Sequence, residues 1–511
     1  MNQSTTLRTG VILNWTSLLL QMVVAFGLTP FIINHLGKSG FGVWALIQSF
    51  SGYYGLINMG VTAALQQSVS RALALNDSPR LQSVVGTAFT FFLVTSTVIL
   101  VVVVSCAAPL TAFFEIAPAE KAAFITTLVL CGSAVAADFF FALTTTLFSA
   151  RERYDLLNGL NITRQLIQTT GIVVALNIKP TTQSLGWVVC GVSVAMTLVS
   201  WVIASRLYAP IRVSPRGASR ETLKSLLGYG SSSVLLRVSN LVRIRAGNVI
   251  IAKTTGVAAV AQFSVAGNLI FNINSIIQAS LNVLTPRFSK LHALDDRDEA
   301  RRLLRIALFG SSTLAFGAAL AVLVFGERFI LFWVGPEMVA AAPILMVLIV
   351  PFAIDFAQAP GWNLMMAQAK HHFMARVTAV ESVLTLALGL SLAYHYGALG
   401  FAAATAVVIL AVRLTVQPLY TARIAGMSLG EYTSPMVVPL LTAAALYASA
   451  LALHLPGVLH RNGPLTFLSL GFTYGAVYLG IIWMLCRRKP YMPGSTPELT
   501  PESAEACVVE D

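Results

Sequence analysis

Near-continuous apolar runs, each long enough to cross a bilayer, restrict this chain's fold more tightly than any other feature. TAFTFFLVTSTVILVVVVSCAAP (87–109) has no charge in 23 residues, and about 20 apolar residues span a hydrocarbon core of roughly 30 Å as a helix. Because the runs do not alternate, they indicate helices rather than a membrane barrel. The 511 residues are 56% hydrophobic and 11% charged, with a mean hydropathy of +0.76. Those values exclude an ordinary water-soluble globular protein. The expected fold is an all-α polytopic membrane protein with about fourteen transmembrane helices. Their expected spans are 9–34, 42–70, 84–108, 121–150, 156–177, 184–207, 225–252, 257–285, 302–325, 338–369, 374–396, 398–422, 434–455 and 464–486.

In a soluble protein a formal charge of +12 would suggest nucleic acid. Here the basic residues fall in short loops, so a nucleic-acid partner is not expected. With fourteen helices, 22 Lys and Arg lie on the side of the termini and only 6 on the other. The positive-inside rule then predicts a multi-pass membrane protein with both termini cytoplasmic. No connection exceeds about twenty residues, which leaves no room for an extramembrane catalytic domain. Five scattered cysteines form no CxxC or Cys/His spacing, so neither a disulfide framework nor a metal site is expected. No P-loop occurs; no cofactor is expected and the chain reads as a transporter rather than an enzyme. MNQSTTLRTG runs directly into an apolar segment without a cleavage site, as an uncleaved first helix would. The tail 487–511, Pro-rich and acidic, reads as disordered and cytoplasmic.

An internal repeat organises the rest. A shift of 219 residues lays HLGKSGFGVW (35–44) on TTGVAAVAQF (254–263), pairing Gly37 with Gly256. The same shift lays SRALALND (70–77) on SKLHALDD (289–296), and SARERY (149–154) on QAKHHF (368–373), so that Arg151 meets Lys370. Helix 1 falls on helix 7 with the same direction of entry, which predicts two parallel-related six-helix lobes plus two C-terminal helices. The expected divisions are an N-lobe at 1–207, a basic linker at 208–224, a C-lobe at 225–424, helices 13 and 14 at 425–486, and the tail. Two lobes of this kind are the geometry of alternating access.

The stretch LTPFIINHLGKSGFGVWALIQSFSGYYGLINMGV (28–61) resembles the opening of the polysaccharide-transport flippases. The likeness is carried by Pro30, the HLG turn at 35–37, the aromatic-Gly pair at 41–42 and the YYGLINMG run. These flippases belong to the multidrug/oligosaccharidyl-lipid/polysaccharide exporter superfamily, which also contains lipid II flippases and multidrug extruders. The resemblance implies alternating-access transport of an undecaprenyl-pyrophosphate-linked oligosaccharide, such as an O-antigen unit or an exopolysaccharide precursor, for bacterial surface-polysaccharide biosynthesis. The implied partners are the polyprenyl-pyrophosphate-linked glycan, membrane lipids, and a glycan polymerase or export machinery. The alternatives are a multidrug or cation extruder of the same fold and a lipid II flippase.

Charged residues inside the spans supply the candidate site. Helix 7 carries Arg237, Arg243 and Arg245, each costing about 2.5–3.5 kcal/mol at the centre of a membrane helix. Arg237 lies about 12 residues, or roughly 18 Å, into the helix and needs a carboxylate or a hydrated cavity. Asp138 and Asp355 sit at matching depth, one per lobe, while Glu381 and Arg413 read as a structural pair. Given the resemblance, Arg237, Arg245 and Arg164 are the candidates for the pyrophosphate, since a guanidinium donates two parallel hydrogen bonds and stays charged. Asn14, Trp15, Tyr53, Tyr54, Asn58, Trp362 and Asn363 are the glycan candidates. Asp138, Asp355 and Glu381 are the groups available for ion coupling or gating. Pro351, Pro360 and Gly361 predict an interruption of helix 10 around Asp355.

Overall fold

The computed structural model describes residues 3–207, 219–229, 245–281, 283–370, 372–455, 457 and 463–486, with the side chains of 3–19, 54–60, 63 and 227–229 excepted. Among these residues every regular element is helical. In chain order they are α1 Gln3–Ala74, α2 Ser78–Phe113, α3 Pro118–Ala150, α4 Tyr154–Ile178, α5 Thr182–Leu207 and α6 Arg220–Tyr229. Next come α7 at 245–254, α8 Val257–Leu281, α9 Leu284–Ala293, α10 Arg297–Val334, α11 Ala341–Ala357 and α12 Ala359–Ala367. The chain ends with α13 His372–Ala411, a π turn Val412–Val416, α14 Gln417–Ala425, α15 Leu429–Ala452 and α16 Pro464–Cys486.

Among the described residues, ten stretches are long and apolar enough to cross a membrane. Two of them, Leu20–Tyr53 and His372–Ala425, are broken by Gly37 (φ 68°) and Gly397 (φ 59°), and these left-handed residues divide each into two helices. Tyr154–Ile178 is also long enough at 25 residues, though more polar. With these divisions the described helices match the expected crossings in turn, and the seventh, 225–252, is described only at its two ends. The apolar outside confirms the medium. α2 buries Val85, Phe92, Ile99 and Val103 while exposing Val94, Val98, Val101 and Val104, a patch that lipid tolerates and water does not.

Packing divides the chain into two compact units. The first comprises Met1–Val265, Trp333–Met338 and Thr378–Phe401; the second comprises Ala266–Phe332, Val339–Val377 and Ala402–Asp511. In the first unit α3 packs on α1, α2 and α5, and the helices approach closely over small residues. Gly132 lies against Val103, and Gly186 against Leu130 and Thr127. Gly42, from the aromatic-Gly pair of the opening motif, meets the backbone carbonyl of Val257 so closely that a Cβ would stand 2.0 Å from its oxygen. In the second unit Ser311 donates to the Ala357 carbonyl at 2.7 Å, and Tyr478 ties α16 to the Thr313 carbonyl at 3.0 Å. The basic linker falls outside the described residues over 208–218.

The repeat is legible bond by bond at one turn. Gly37 and Gly256 both have positive φ, as do Asn76 and Asp295, and each pair is separated by the same 219 residues. Around Asn76 the amides of Leu75, Asn76, Asp77 and Ser78 donate to Arg71, Leu73, Ala72 and Asn76. Leu294, Asp295, Asp296 and Arg297 donate to the corresponding carbonyls of Lys290, His292, Leu291 and Asp295. Asp77 then caps α2 through the Arg80 amide, as Asp296 caps α10 through the Glu299 amide. The third match slips. The turn bond from the Arg153 amide to the Phe148 carbonyl recurs as Lys370 to Met365, and the positive φ of Glu152 as that of Ala369. The partner of Lys370 is therefore Arg153, not Arg151: the second copy is two residues shorter between these turns.

Candidate functional site

In the first unit, α4 carries Asn161, Arg164, Gln165 and Gln168 at spacings of three and four. That spacing places them on one helical face and explains why this helix is less apolar than its neighbours. With Gln21 of α1 they line a cavity of about 230 Å³, every wall residue of which is polar. At about 30 Å³ per water, the space holds on the order of seven waters, or one phosphoryl group or sugar ring. Arg164 stands near the middle of α4, so the cavity lies deep in the span.

The guanidinium is held from two neighbouring helices. Its Nη2 donates to Asp138 Oδ2 at 2.8 Å and to Ser193 Oγ at 2.9 Å. Nη2 is also 2.8 Å from Asp138 Oδ1, but that oxygen is buried without a hydrogen bond. The Phe141 ring lies 5.3 Å from the guanidinium carbon. Arg164 and Asp138 remain 21% and 35% exposed, so the pair faces the cavity as well as the helices.

The second unit holds a different arrangement. Arg413 lies in the π turn Val412–Val416 and donates through Nε to Asp355. Proline chemistry makes both partners irregular. Pro418 cannot bond the Leu414 carbonyl, and Pro360 opens α12 after the interruption at Gln358. The break predicted around Asp355 thus falls at Gln358, while Pro351 stays within α11. Gln358 bridges the two irregular segments, its Nε2 donating to the Arg413 carbonyl at 2.8 Å. The Tyr432 hydroxyl approaches Gln358 Oε1 at 3.5 Å, and Gly361 faces Thr421 where a Cβ would stand 2.8 Å from its methyl. Arg413 is 2% exposed and Asp355 13%.

The two carboxylates matched to Arg237 by depth thus engage Arg164 and Arg413. Arg413 engages Asp355 through Nε, and Glu381 is wholly buried. Arg237 and Arg243 lie outside the described residues. Arg245 is half-buried on α7 and interacts electrostatically with Tyr53. One turn on, Asn248 donates to Ser49 Oγ at 2.8 Å and accepts from Ser264 at 3.2 Å. The side chains of Asn14, Trp15, Tyr54 and Asn58 are outside the description. Trp362 is half-buried, and Asn363 accepts from Thr285 Oγ1 at 2.8 Å, tying α12 to α9. Gln21, Asn161, Gln165, Gln168 and Ser193 were not singled out from the sequence, although the polar stripe on α4 was there to be read.

This arrangement of helices is found in known transporters. The fold is similar to that of the lipid II flippase MurJ in its inward closed conformation, with a TM-score of 0.72 at 10% identity, over 94% of this chain and 99% of that one. It is also similar to an inward-facing multidrug resistance MATE family transporter of the MOP superfamily, with a TM-score of 0.63 at 14% identity over 79% of this chain and 96% of that one. An outward-facing transporter of that description gives 0.55 at 13% identity, over 83% and 96%. No curated protein matches the sequence. Residues 35–343, more than half of the chain, match the family described as polysaccharide biosynthesis protein, and the protein belongs to that family.

Proposed function

We propose that the protein is a flippase carrying an undecaprenyl-pyrophosphate-linked oligosaccharide across the bacterial plasma membrane, both termini cytoplasmic, by alternating access of two lobes. Arg164 takes the carrier's pyrophosphate, with Arg237 and Arg245 as further donors. The amides around Arg164 take sugar hydroxyls, which need donors and acceptors at short range and no net charge. The observation carrying this reading is a partly accessible guanidinium in mid-span, on the wall of an all-polar cavity, in a chain of the polysaccharide biosynthesis family. A guanidinium is expensive in lipid, and an anion arriving in the cavity offsets that cost by binding to it.

A multidrug extruder is the second reading, favoured by Asp138, a mid-span carboxylate whose side chain is 35% exposed and which suits a cation. Proteoliposomes loaded with a labelled carrier-linked glycan separate the two. Glycan transfer that falls with Arg164→Ala supports the flippase. Efflux of cationic dyes without glycan transfer overturns it, and transfer of lipid II in place of the oligosaccharide carrier reassigns the substrate.

A further inference from the structure

A second cavity, of about 270 Å³, opens in the second unit at the repeated turn between α9 and α10 and reaches the ends of α12 and α14. Its charges are unequally committed. Asp295 is paired with Arg297 at 3.0 Å, and Asp296 is occupied in capping α10. Arg301 is fixed in the wall: its Nε donates to the Ala425 carbonyl at 3.1 Å. Its Nη1 donates to Asp298 at 3.3 Å, and its Nη2 lies 2.8 Å from where a Cβ on Gly426 would stand, a position whose φ of 65° itself favours glycine. Lys370 and Arg423 also line the cavity, and neither side chain has a hydrogen bond or ion pair among the described residues.

The first copy of the repeat shows what is missing. Arg153, the counterpart of Lys370, is neutralised within its own turn by Asp155, with bonds of 2.9 Å from Nε and 2.8 Å from Nη2. The position two residues after Lys370 is His372 instead of an aspartate. Tyr420 meanwhile braces the Lys370 carbonyl at 3.0 Å and stacks on Phe373. The turn is thus conserved in shape while its neutralising carboxylate is gone. Leu294 and Met366, close by in sequence to the lining residues, expose their side chains, as the apolar edge of a headgroup site would.

We propose that this cavity binds a phosphate group, Lys370 and Arg423 supplying the charge and Arg301 the fixed wall, and that the phosphate is the headgroup of an anionic phospholipid. The volume admits a glycerophosphate. Basic pockets at helix ends take anionic headgroups at a gain that each cation strengthens about fivefold.

The test uses the full-length protein in detergent, with phosphatidylglycerol, phosphatidylcholine and inorganic phosphate as separate probes, read by native mass spectrometry. Phosphatidylglycerol should be retained over phosphatidylcholine. Lys370→Gln and Arg423→Gln should each weaken retention about fivefold, and the double variant about thirtyfold. His372→Asp restores the missing carboxylate without removing a cation and should weaken retention in the same direction. Equal gel-filtration profiles exclude misfolding as the cause. If phosphate alone binds with this variant dependence and displaces the lipid, the source is a soluble phosphate and the lipid is overturned. If all variants retain phosphatidylglycerol as the parent does, the site itself is overturned.

Discussion

Each unit keeps an arginine–aspartate pair within the membrane, and the two pairs are built for different ends. Arg413–Asp355 is shut away, 2% and 13% exposed, and it fastens a π turn to an interrupted helix whose carbonyls prolines have released. Arg164–Asp138 is 21% and 35% exposed, sits between regular helices and borders a polar cavity. The first holds two irregular segments together; the second keeps a charge available to something that enters. A charge in lipid is therefore no sign of a binding site by itself. Its remaining accessibility and the regularity of the backbone beside it distinguish the two cases.

The sharpest way to break this contrast is to cut the closed pair. Arg413→Ala leaves Asp355 without that partner and should cost about 3–5 kcal/mol of stability, seen as a large fall in the thermal midpoint in detergent. Replacing both residues with apolar ones of similar volume should recover much of that loss. If Arg413→Ala is thermally silent, the pair is not the fastening described.

Arg164→Ala should act in the opposite sense, on transport more than on stability. Losing a charged donor should lower glycan transfer by about ten- to a hundredfold, while the partly exposed pair contributes less to the thermal midpoint than the closed one. Equal damage to folding by Arg164→Ala and Arg413→Ala would erase the distinction. Ser193→Ala is milder: it removes one of the two bonds from Nη2 and should cost about 1 kcal/mol, with transfer reduced and Asp138 still engaged. A Ser193→Thr variant that restores transfer would identify the hydroxyl as the reason.

The fold was readable because the apolar runs and the repeat are patterns of one dimension. Gly37 and Gly256 matched in sequence and prove to share the left-handed backbone that ends their helices. The site was less readable because pairing depends on helix neighbours and rotation, which depth alone does not supply. Asp138 pairs with Arg164 and Asp355 with Arg413, neighbours that depth does not identify. Arg237, for which depth made both carboxylates candidates, lies outside the described residues. The π turn that buries Arg413 has its visible cause in Pro418, but nothing near it in sequence announces that Gln358 reaches across to its carbonyl. The two-residue slip at Lys370 was hidden for a similar reason: a gapless shift cannot register an interrupted helix.

A third ion pair extends the series to the surface and tests whether exposure is the controlling variable. Lys253 Nζ lies 2.9 Å from Glu115 Oε1, with the side chains 34% and 79% exposed, and the ammonium also sits 5.3 Å from the Phe113 ring centre. The hydrogen bond from Lys253, together with its charge, holds the Glu115 carboxyl below the ordinary glutamate range. A carboxylate with a lowered folded pKa contributes stability that is fully present above its unfolded value of about 4.3 and is lost as the pH falls through the folded value. Between pH 7 and about 5, Glu115→Gln should therefore differ from the parent by a constant, small amount that raised salt reduces. As the pH falls below about 4.3 and through the lowered folded value, the two melting curves should converge. A difference as large as that from Arg164→Ala, or one indifferent to salt, would mean that accessibility does not grade these three pairs.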